Sequence, residues 1–252
     1  MKESFTVDSI NLKSYPLNEN DKIIVMYSKE YGLMRAVAKG IKKSKSKLGA
    51  SMDMMVANKI LLSQGKNLDI ICQAQGLNSF KNIRNNVDKL FYSIYACEIV
   101  INLGIENDPN SKDIYELFYQ FLNKVSKSNN KIELMLALIR FQLKMTDISG
   151  FTLELGHCIN CGQICDDTYF SFEQAGILCK KCRSSDIKTI KIHRKIKDFF
   201  EVLLLSDFDS KTKYDKLADE FVCNCAFDFL KKYLQFHCPK RFKSIDILEK
   251  IK

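Results

Sequence analysis

Cys158, Cys161, Cys179 and Cys182 form a C-x2-C-x17-C-x2-C array. Each Cys-x-x-Cys loop offers two thiolates to one edge of a tetrahedron, and residues 162–178 between the loops are long enough to return as a short hairpin. The array constrains the fold because one metal ion would pull two separated loops onto a single point. Its spacing fits zinc. Four sulfurs close the coordination shell and leave no position for water or substrate, so the site reads as structural rather than catalytic. His157 and Cys165 lie near the first loop and could substitute as ligands, although neither is needed to complete the set.

The other reading of these thiols is a set of disulfides or simple burial. The chain has 10 Cys, and the remaining six (Cys72, Cys97, Cys165, Cys223, Cys225 and Cys238) are irregularly spaced, several within apolar stretches. That pattern suits reduced core thiols better than a secreted disulfide framework. No apolar signal region follows Met1-Lys2-Glu3-Ser4-Phe5, and no stretch approaches the roughly 18 uncharged apolar residues of a membrane span, so a cytoplasmic, membrane-free setting is expected.

At 252 residues and 46% hydrophobic, the chain can bury a sizeable core. Its net charge of +9 is unevenly placed. Between Glu30 and Asp53 there is no acidic residue, but Arg35, Lys39, Lys42, Lys43, Lys45 and Lys47 are present. Such a run attracts polyanions, although taken alone it also describes a solvated lysine-rich loop.

The location of the run narrows that choice. Residues 5–75 read as short strands: Ile23 to Tyr27, then a turn, then residues 33–41, where Arg35, Val37 and Lys39 share a face. Residues 42–49 leave as a loop, Met54 to Leu62 resume alternation, and Gly65-Lys66-Asn67 turns the chain into residues 68–74. Strands of this number and length predict a small barrel or sandwich, of which the OB-fold holds single-stranded nucleic acid on a strand face and its loops. Tyr27 and Tyr31 could stack on bases, but barrel packing is the simpler role for both.

After Gly76 the apolar spacing becomes helical. Ser79 is a candidate cap for a helix carrying Ile83, Val87, Leu90, Ile94, Cys97 and Ile101, and further helices are expected from Ser111 and Lys131. Beyond the cysteine hairpin, Ile192 to Leu203 and Leu217 to Phe229 mark two more. The apolar stripes on both sides of residues 150–185 predict a helical domain with the cysteine element inserted in it. The expected fold class is therefore α+β, with an OB-fold over residues 1–78, a helical domain over residues 79–150 and 186–252, and the zinc-binding element over residues 151–185.

Several segments in this order resemble the RecO family of bacterial recombination mediators. They are Val7-Asp8-Ser9-Ile10-Asn11-Leu12-Lys13-Ser14-Tyr15, Asn20-Asp21-Lys22-Ile23-Ile24-Val25-Met26-Tyr27, and above all Ala38-Lys39-Gly40-Ile41-Lys42-Lys43-Ser44-Lys45-Ser46-Lys47. Ser79-Phe80-Lys81-Asn82-Ile83-Arg84 and Arg140-Phe141-Gln142-Leu143-Lys144 continue the likeness, which runs from residue 5 to about 235. This chain departs from the family in the extra Cys165 and in a single Gly176 where relatives often carry a glycine pair. Some relatives lack the cysteines altogether, which suits a structural role for them.

The resemblance implies a protein of DNA repair and homologous recombination that binds single- and double-stranded DNA and anneals complementary strands. With the partner RecR it would help load RecA onto DNA coated by single-strand-binding protein. No catalysis is implied, one structural Zn2+ is the only cofactor, and the setting would be the bacterial cytoplasm, at the nucleoid. The residues agree: there is no Gly-x-x-x-x-Gly-Lys-Ser/Thr phosphate loop, and His157, His193 and His237 have no triad context. Arg35, Lys39, Lys42, Lys43, Lys45 and Lys47, with Lys81 and Arg84 outside them, are the expected DNA-binding residues. Two different classes remain open, a zinc-ribbon nucleic-acid-processing enzyme and a transcription factor. The enzyme would need clustered acids or an open zinc, and Asp166-Asp167 is the only adjacent acidic pair near the cysteines.

Overall fold

The alternation between Phe5 and Ala74 is resolved in a computed structural model that describes residues 3–164, 169–184, 187–208, 210 and 218–246. Five strands, β1 (Ser4–Pro16), β2 (Lys22–Ser28), β3 (Gly32–Ala38), β4 (Ala57–Ser63) and β5 (Asp69–Asn78), close a barrel in the order β1-β2-β3-β5-β4. β1 is long enough to pair with β4 through its first half and with β2 through its second. An irregularity between Asn11 and Lys13 bends it from one partner to the other. Closure is completed by a short parallel contact in which Ala36 and Val37 face Asp69 and Ile70. Val7, Ile24, Met26, Ala36, Ala38, Ile60, Leu62 and Ile71 fill the interior, and the architecture agrees with the OB-fold expectation. Met54 was expected within a strand, but Met55 has φ 60, a left-handed turn that delays β4 to Ala57.

The helices are α1 (Lys81–Arg84), α2 (Val87–Leu103), α3 (Ser111–Lys127), α4 (Lys131–Ile148), α5 (Arg194–Leu205) and α6 (Glu220–His237). Ser79 does not cap the first long helix. The chain makes one turn in α1 and breaks, and Asn86 restarts it by accepting the Lys89 N–H on its side chain. An asparagine that bonds to the backbone ahead of it favours a new N-terminus over a continued helix, so the stripe from Ile83 to Ile101 spans two elements. Asn130 and Asp219 cap α4 and α6 in the same manner, and His193 caps α5 through Nδ1. Leu217, expected at the start of the last helix, lies outside the described residues.

By contact the chain divides into two units, Met1–Ser128 with Phe242–Lys252, and Asn129–Arg241. The helical residues 79–150 and 186–252, taken together by periodicity, are thus shared between the units. In the first unit, α2 and α3 cover part of the outer face of the barrel. Tyr27 points outward from β2, is fully buried, and donates its hydroxyl to Asp108 Oδ2 at 2.9 Å. Burial and the neighbouring carboxylate both push its ionisation well above the ordinary tyrosine range. The returning C-terminal segment places Phe242 edge-on to Tyr95, and Glu98 accepts the backbone N–H groups of Lys243 and Ser244.

Gly32 shows how tightly the covering loop fits. Its φ is +71, and a Cβ there would lie 2.5 Å from Ile105 O and 2.8 Å from Asp108 Cβ. Gly32→Ala is expected to destabilise the protein by about 2–4 kcal/mol, read as a lower urea midpoint at unchanged slope; a midpoint equal to the wild type's would contradict this account.

In the second unit α4 packs along α6, with α5 against both. Between α4 and α5 in the chain comes a small sheet of β6 (Tyr169–Ser171), β7 (Gly176–Leu178) and β8 (Ile190–Lys191), ordered β7-β6-β8. The β6–β7 pair is the hairpin expected between the cysteine loops. Phe170 anchors it, fully buried and edge-on to Phe229 at 5.3 Å and Tyr233 at 5.6 Å, both on α6.

Candidate functional site

Two loops at one end of the barrel are stapled together. Asn18 Oδ1 accepts the N–H groups of Asn20 and Asp21, which folds the β1–β2 connection into a tight turn. Asp21 Oδ1 then accepts the Gly40 N–H at 2.6 Å, Lys42 N donates to Asn20 O at 3.1 Å, and Lys42 Nζ donates to Asn18 O at 2.9 Å. The Gly40 N–H, the Asn18 side chain and the nearby Lys39 and Lys43 charges hold the Asp21 carboxyl below its usual range, although partial desolvation acts the other way. Gly40, at φ +64, supplies the left-handed turn that brings the lysines round.

The far end of the lysine loop is also anchored. Leu48 and Met52 insert into the barrel core, the latter from a 3-10 turn at Ala50–Met52. Asn11 and Asn58, both buried, donate their side-chain amides to Ser51 O at 2.8 Å and 2.7 Å. Lys39, Lys42, Lys43, Lys45 and Lys47 are all exposed along this loop, and Lys39, Gly40 and Lys43 share an open cleft of about 630 Å³ with residues 18–21. Nothing in the periodicity marks Asn11, Asn58 or Asp21 as anchors. An asparagine at a buried strand position was the available signal.

Arg35 and the outer candidates Lys81 and Arg84 differ from the loop. Arg35 projects from β3, but its guanidinium meets Glu106 at 3.0 Å, and the groove beside it also carries Glu3 and Asp69. Arg84 donates to Ser79 O at 2.6 Å and to Met54 O at 2.7 Å, bracing α1 against the segment before β4. Lys81 is exposed on α1. Tyr27 is unavailable to any ligand, and Tyr31, 41% exposed, stands edge-on to Phe5 at 5.6 Å.

The cysteine array converges as its spacing predicts. The ligand atoms of Cys158, Cys161, Cys179 and Cys182 all lie within 4.8 Å of one another, with the Cys161 and Cys179 sulfurs 3.9 Å apart. Four sulfurs at about 2.3 Å from a tetrahedral ion would be separated by about 3.8 Å, so the donor set fits a metal of that kind. The first loop turns at Gly162, whose φ is +70 and whose N–H bonds to Cys158 O at 2.8 Å. The second repeats the pattern, with Cys182 and Arg183 N–H groups returning to Cys179 O. Burial would raise the Cys158 thiol, but the N–H groups of Cys179, Cys161 and Asn160 aim at its sulfur and hold it well below the ordinary thiol value. Hydrogen bonding with the Cys179 and Cys161 thiols pushes Cys182 up to about 12. His157 stands outside the cluster, 3.6 Å from Glu154, while Cys165 and the Asp166-Asp167 pair lie outside the described residues.

Family comparison joins these two sites in one lineage. Sequence models described as Recombination protein O N terminal and Recombination protein O C terminal match residues 1–80 and 84–246. The chain belongs to the RecO family. It is 26% identical over 249 residues to the DNA repair protein RecO of Desulforamulus reducens, covering 98% of this chain and 94% of that one. The DNA repair protein RecO of Alkaliphilus metalliredigens is 28% identical, with 95% and 96% covered. That of Oceanobacillus iheyensis is 32% identical over 207 residues, with 81% and 77% covered.

In this RecO-family chain each histidine has a local contact. His193 caps α5, His157 pairs with Glu154, and His237 stacks on Phe151 at 4.8 Å, its ionisation lowered chiefly by burial. No helix among the described residues is long and apolar enough to cross a membrane. Lys231, Lys232, Lys240 and Arg241 lie in sequence near Tyr233, Phe236 and Phe242. Tyr233 and Phe242 are buried and only Phe236, 55% exposed beside Phe172, presents a ring.

Proposed function

We propose that this protein is a DNA repair and recombination mediator that binds single- and double-stranded DNA through the lysine loop at residues 39–47. It anneals complementary strands and, with RecR, helps load RecA onto DNA coated by single-strand-binding protein in the bacterial cytoplasm, at the nucleoid. The observation that carries this reading is the loop itself: five exposed lysines, pinned at both ends, on a barrel whose relatives are named DNA repair proteins. Cations held in this way neutralise phosphates and release counterions, giving affinity without sequence readout. Annealing needs two strands held at once with their repulsion screened, which a cationic surface supplies without nucleotide hydrolysis.

The cysteine cluster would hold one structural Zn2+, its four thiolates closing the shell and leaving the ion no role at a reacting group. Phe236, with Lys232 and Lys240 near it in sequence, is the candidate contact for the acidic, hydrophobic-tipped tail of single-strand-binding protein. Incubation with labelled complementary strands tests the whole reading. Annealing without nucleotide is the expected outcome, whereas strand cleavage with Mg2+ would point to an enzyme and selection of one duplex sequence to a transcription factor. Co-purification with RecR and with single-strand-binding protein is expected from the same protein.

A further inference from the structure

The outer face of the barrel carries an aromatic ring next to the lysine loop that phosphate binding leaves unused. Tyr15, near the end of β1, is 44% exposed, and Lys13 Nζ lies 4.9 Å from the centre of its ring. The strand register sets its neighbours. Lys13 faces Val25, which faces Arg35, and Tyr15 faces Ile23, which faces Val37. Directly opposed residues of antiparallel strands project from one face, so Lys13 and Tyr15 stand on the side that carries Arg35. Beyond Tyr15 the chain enters the turn at residues 18–21, the same turn that is bonded to Gly40 and Lys42. Ring and lysine loop therefore lie at the same end of the barrel.

A tyrosine exposed to this extent keeps ring surface open to solvent, and stacking on such a surface is how unpaired bases are held without regard to sequence. Tyr31 is the other exposed ring of the barrel region, but it lines a groove with Glu3, Asp69 and Glu106 against the single Arg35, a setting that repels phosphate. Tyr15 has Lys13 beside it and the lysine loop beyond.

We propose that Tyr15, supported by Lys13, is a stacking platform for one unpaired nucleobase, and that it makes the barrel prefer single strands over duplex. The lysines attract phosphates of either form. A duplex hides the flat faces of its bases in its own stack, so the ring adds affinity only to single strands. Pairing withdraws the base from the ring, so annealing itself weakens the protein's hold on its product. This inference rests on the DNA-binding role proposed above.

Fluorescence anisotropy with oligothymidylate and with a duplex of equal length, each over a salt series, tests it on the full chain. Tyr15→Ala is expected to weaken single-strand binding by about 5- to 150-fold, the factor of one lost stack, with duplex affinity and the salt slope unchanged. Tyr15→Phe keeps the ring and is expected to bind as the wild type does. Unchanged single-strand affinity in Tyr15→Ala, or an equal loss on duplex, overturns the proposal. Photocrosslinking of the wild-type protein to 5-iodouracil-containing single strands gives a second readout that does not depend on how a variant folds: a crosslink at Tyr15 is expected, and crosslinks confined to other residues overturn the platform. A variant with the five loop lysines changed to Gln separates the two ideas. If it still binds both DNA forms, the DNA-binding reading itself fails; if it loses both while Tyr15→Ala binds single strands normally, only the platform fails.

Discussion

Replacing Lys39, Lys42, Lys43, Lys45 and Lys47 by Gln is expected to remove most of the DNA affinity and nearly all of its salt dependence. Five phosphate contacts on a single strand predict a log–log salt slope of about −3.5, at roughly 0.7 per contact, so the wild-type protein should lose about a hundredfold in affinity between about 50 and about 200 mM salt. Six contacts, counting Arg35, would give about −4 by the same rule. The Glu106 carboxylate at 3.0 Å already neutralises that guanidinium, so Arg35→Gln alone is expected to leave the slope unchanged, whereas a lost phosphate contact would reduce it by about 0.7. The fold should tolerate the five changes, because the lysines are exposed, the loop is held by Asn11, Asn58, Asp21, Leu48 and Met52, and the single cation bond lost is that of Lys42 Nζ to Asn18 O. A filter-binding titration in which the five-fold variant retains full affinity at every salt concentration would sink the assignment. Arg84→Ala behaves differently on this account: it removes two bonds to Ser79 and Met54 carbonyls and should lower stability by about 1–3 kcal/mol before it touches DNA binding.

Loss of metal from the cysteine cluster should unfold the second unit. Apparent binding free energies of about 10–16 kcal/mol for structural zinc in small domains are folding free energies, because the site does not exist in the unfolded chain. Here the local hydrophobic group at the site is small, Leu178 with the cysteines themselves and Ile187, so little else holds the two loops together. Cys158→Ala removes the most buried ligand, and the loss of zinc, measured by atomic absorption, should be accompanied by lost hydrogen-exchange protection around β6, β7 and the loops. Phe170 couples that loss to α6 through Phe229 and Tyr233, so protection of α6 should fall as well. The barrel has its own core and keeps its lysine loop anchored, so the first unit is expected to stay protected. A stable, fully folded, zinc-free variant that no longer binds DNA would show instead that the cysteine loops contact DNA themselves.

What could be read in the sequence was whatever depends on near neighbours. The two Cys-x-x-Cys loops and the hairpin between them, the alternation that gives β2 and β3, the helices expected from Ser111 and Lys131, and the acid-free run from Arg35 to Lys47 are all local patterns, and each reappears in the fold, whereas Phe221, placed on the apolar stripe of the last helix, is 62% exposed. The helix break at Asn86 was in principle legible too, since an asparagine just ahead of a long apolar stripe is a cap signal, but a continuous stripe obscured it.

Long-range pairing decided the rest. Glu106 lies 71 positions from Arg35 and Asp108 lies 81 from Tyr27, and no period in the chain connects them. Tyr15 and Tyr27 both end or flank apolar strand segments, yet one is exposed beside a lysine and the other is sealed beneath helices, because α2 and α3 cover only part of the barrel's outer face. The division of the helices between two units follows from the same cause: an amphipathic stripe states that a face must be covered, not which surface covers it. By itself the sequence determined the convergence of the four cysteines, the barrel and the charge of its loop, since spacing, period and composition carry these. Only the tertiary structure decided which cations remain open to solvent, because a charge is neutralised by whatever the fold brings to it, and that partner is chosen by closure of the barrel and the docking of its covering loop.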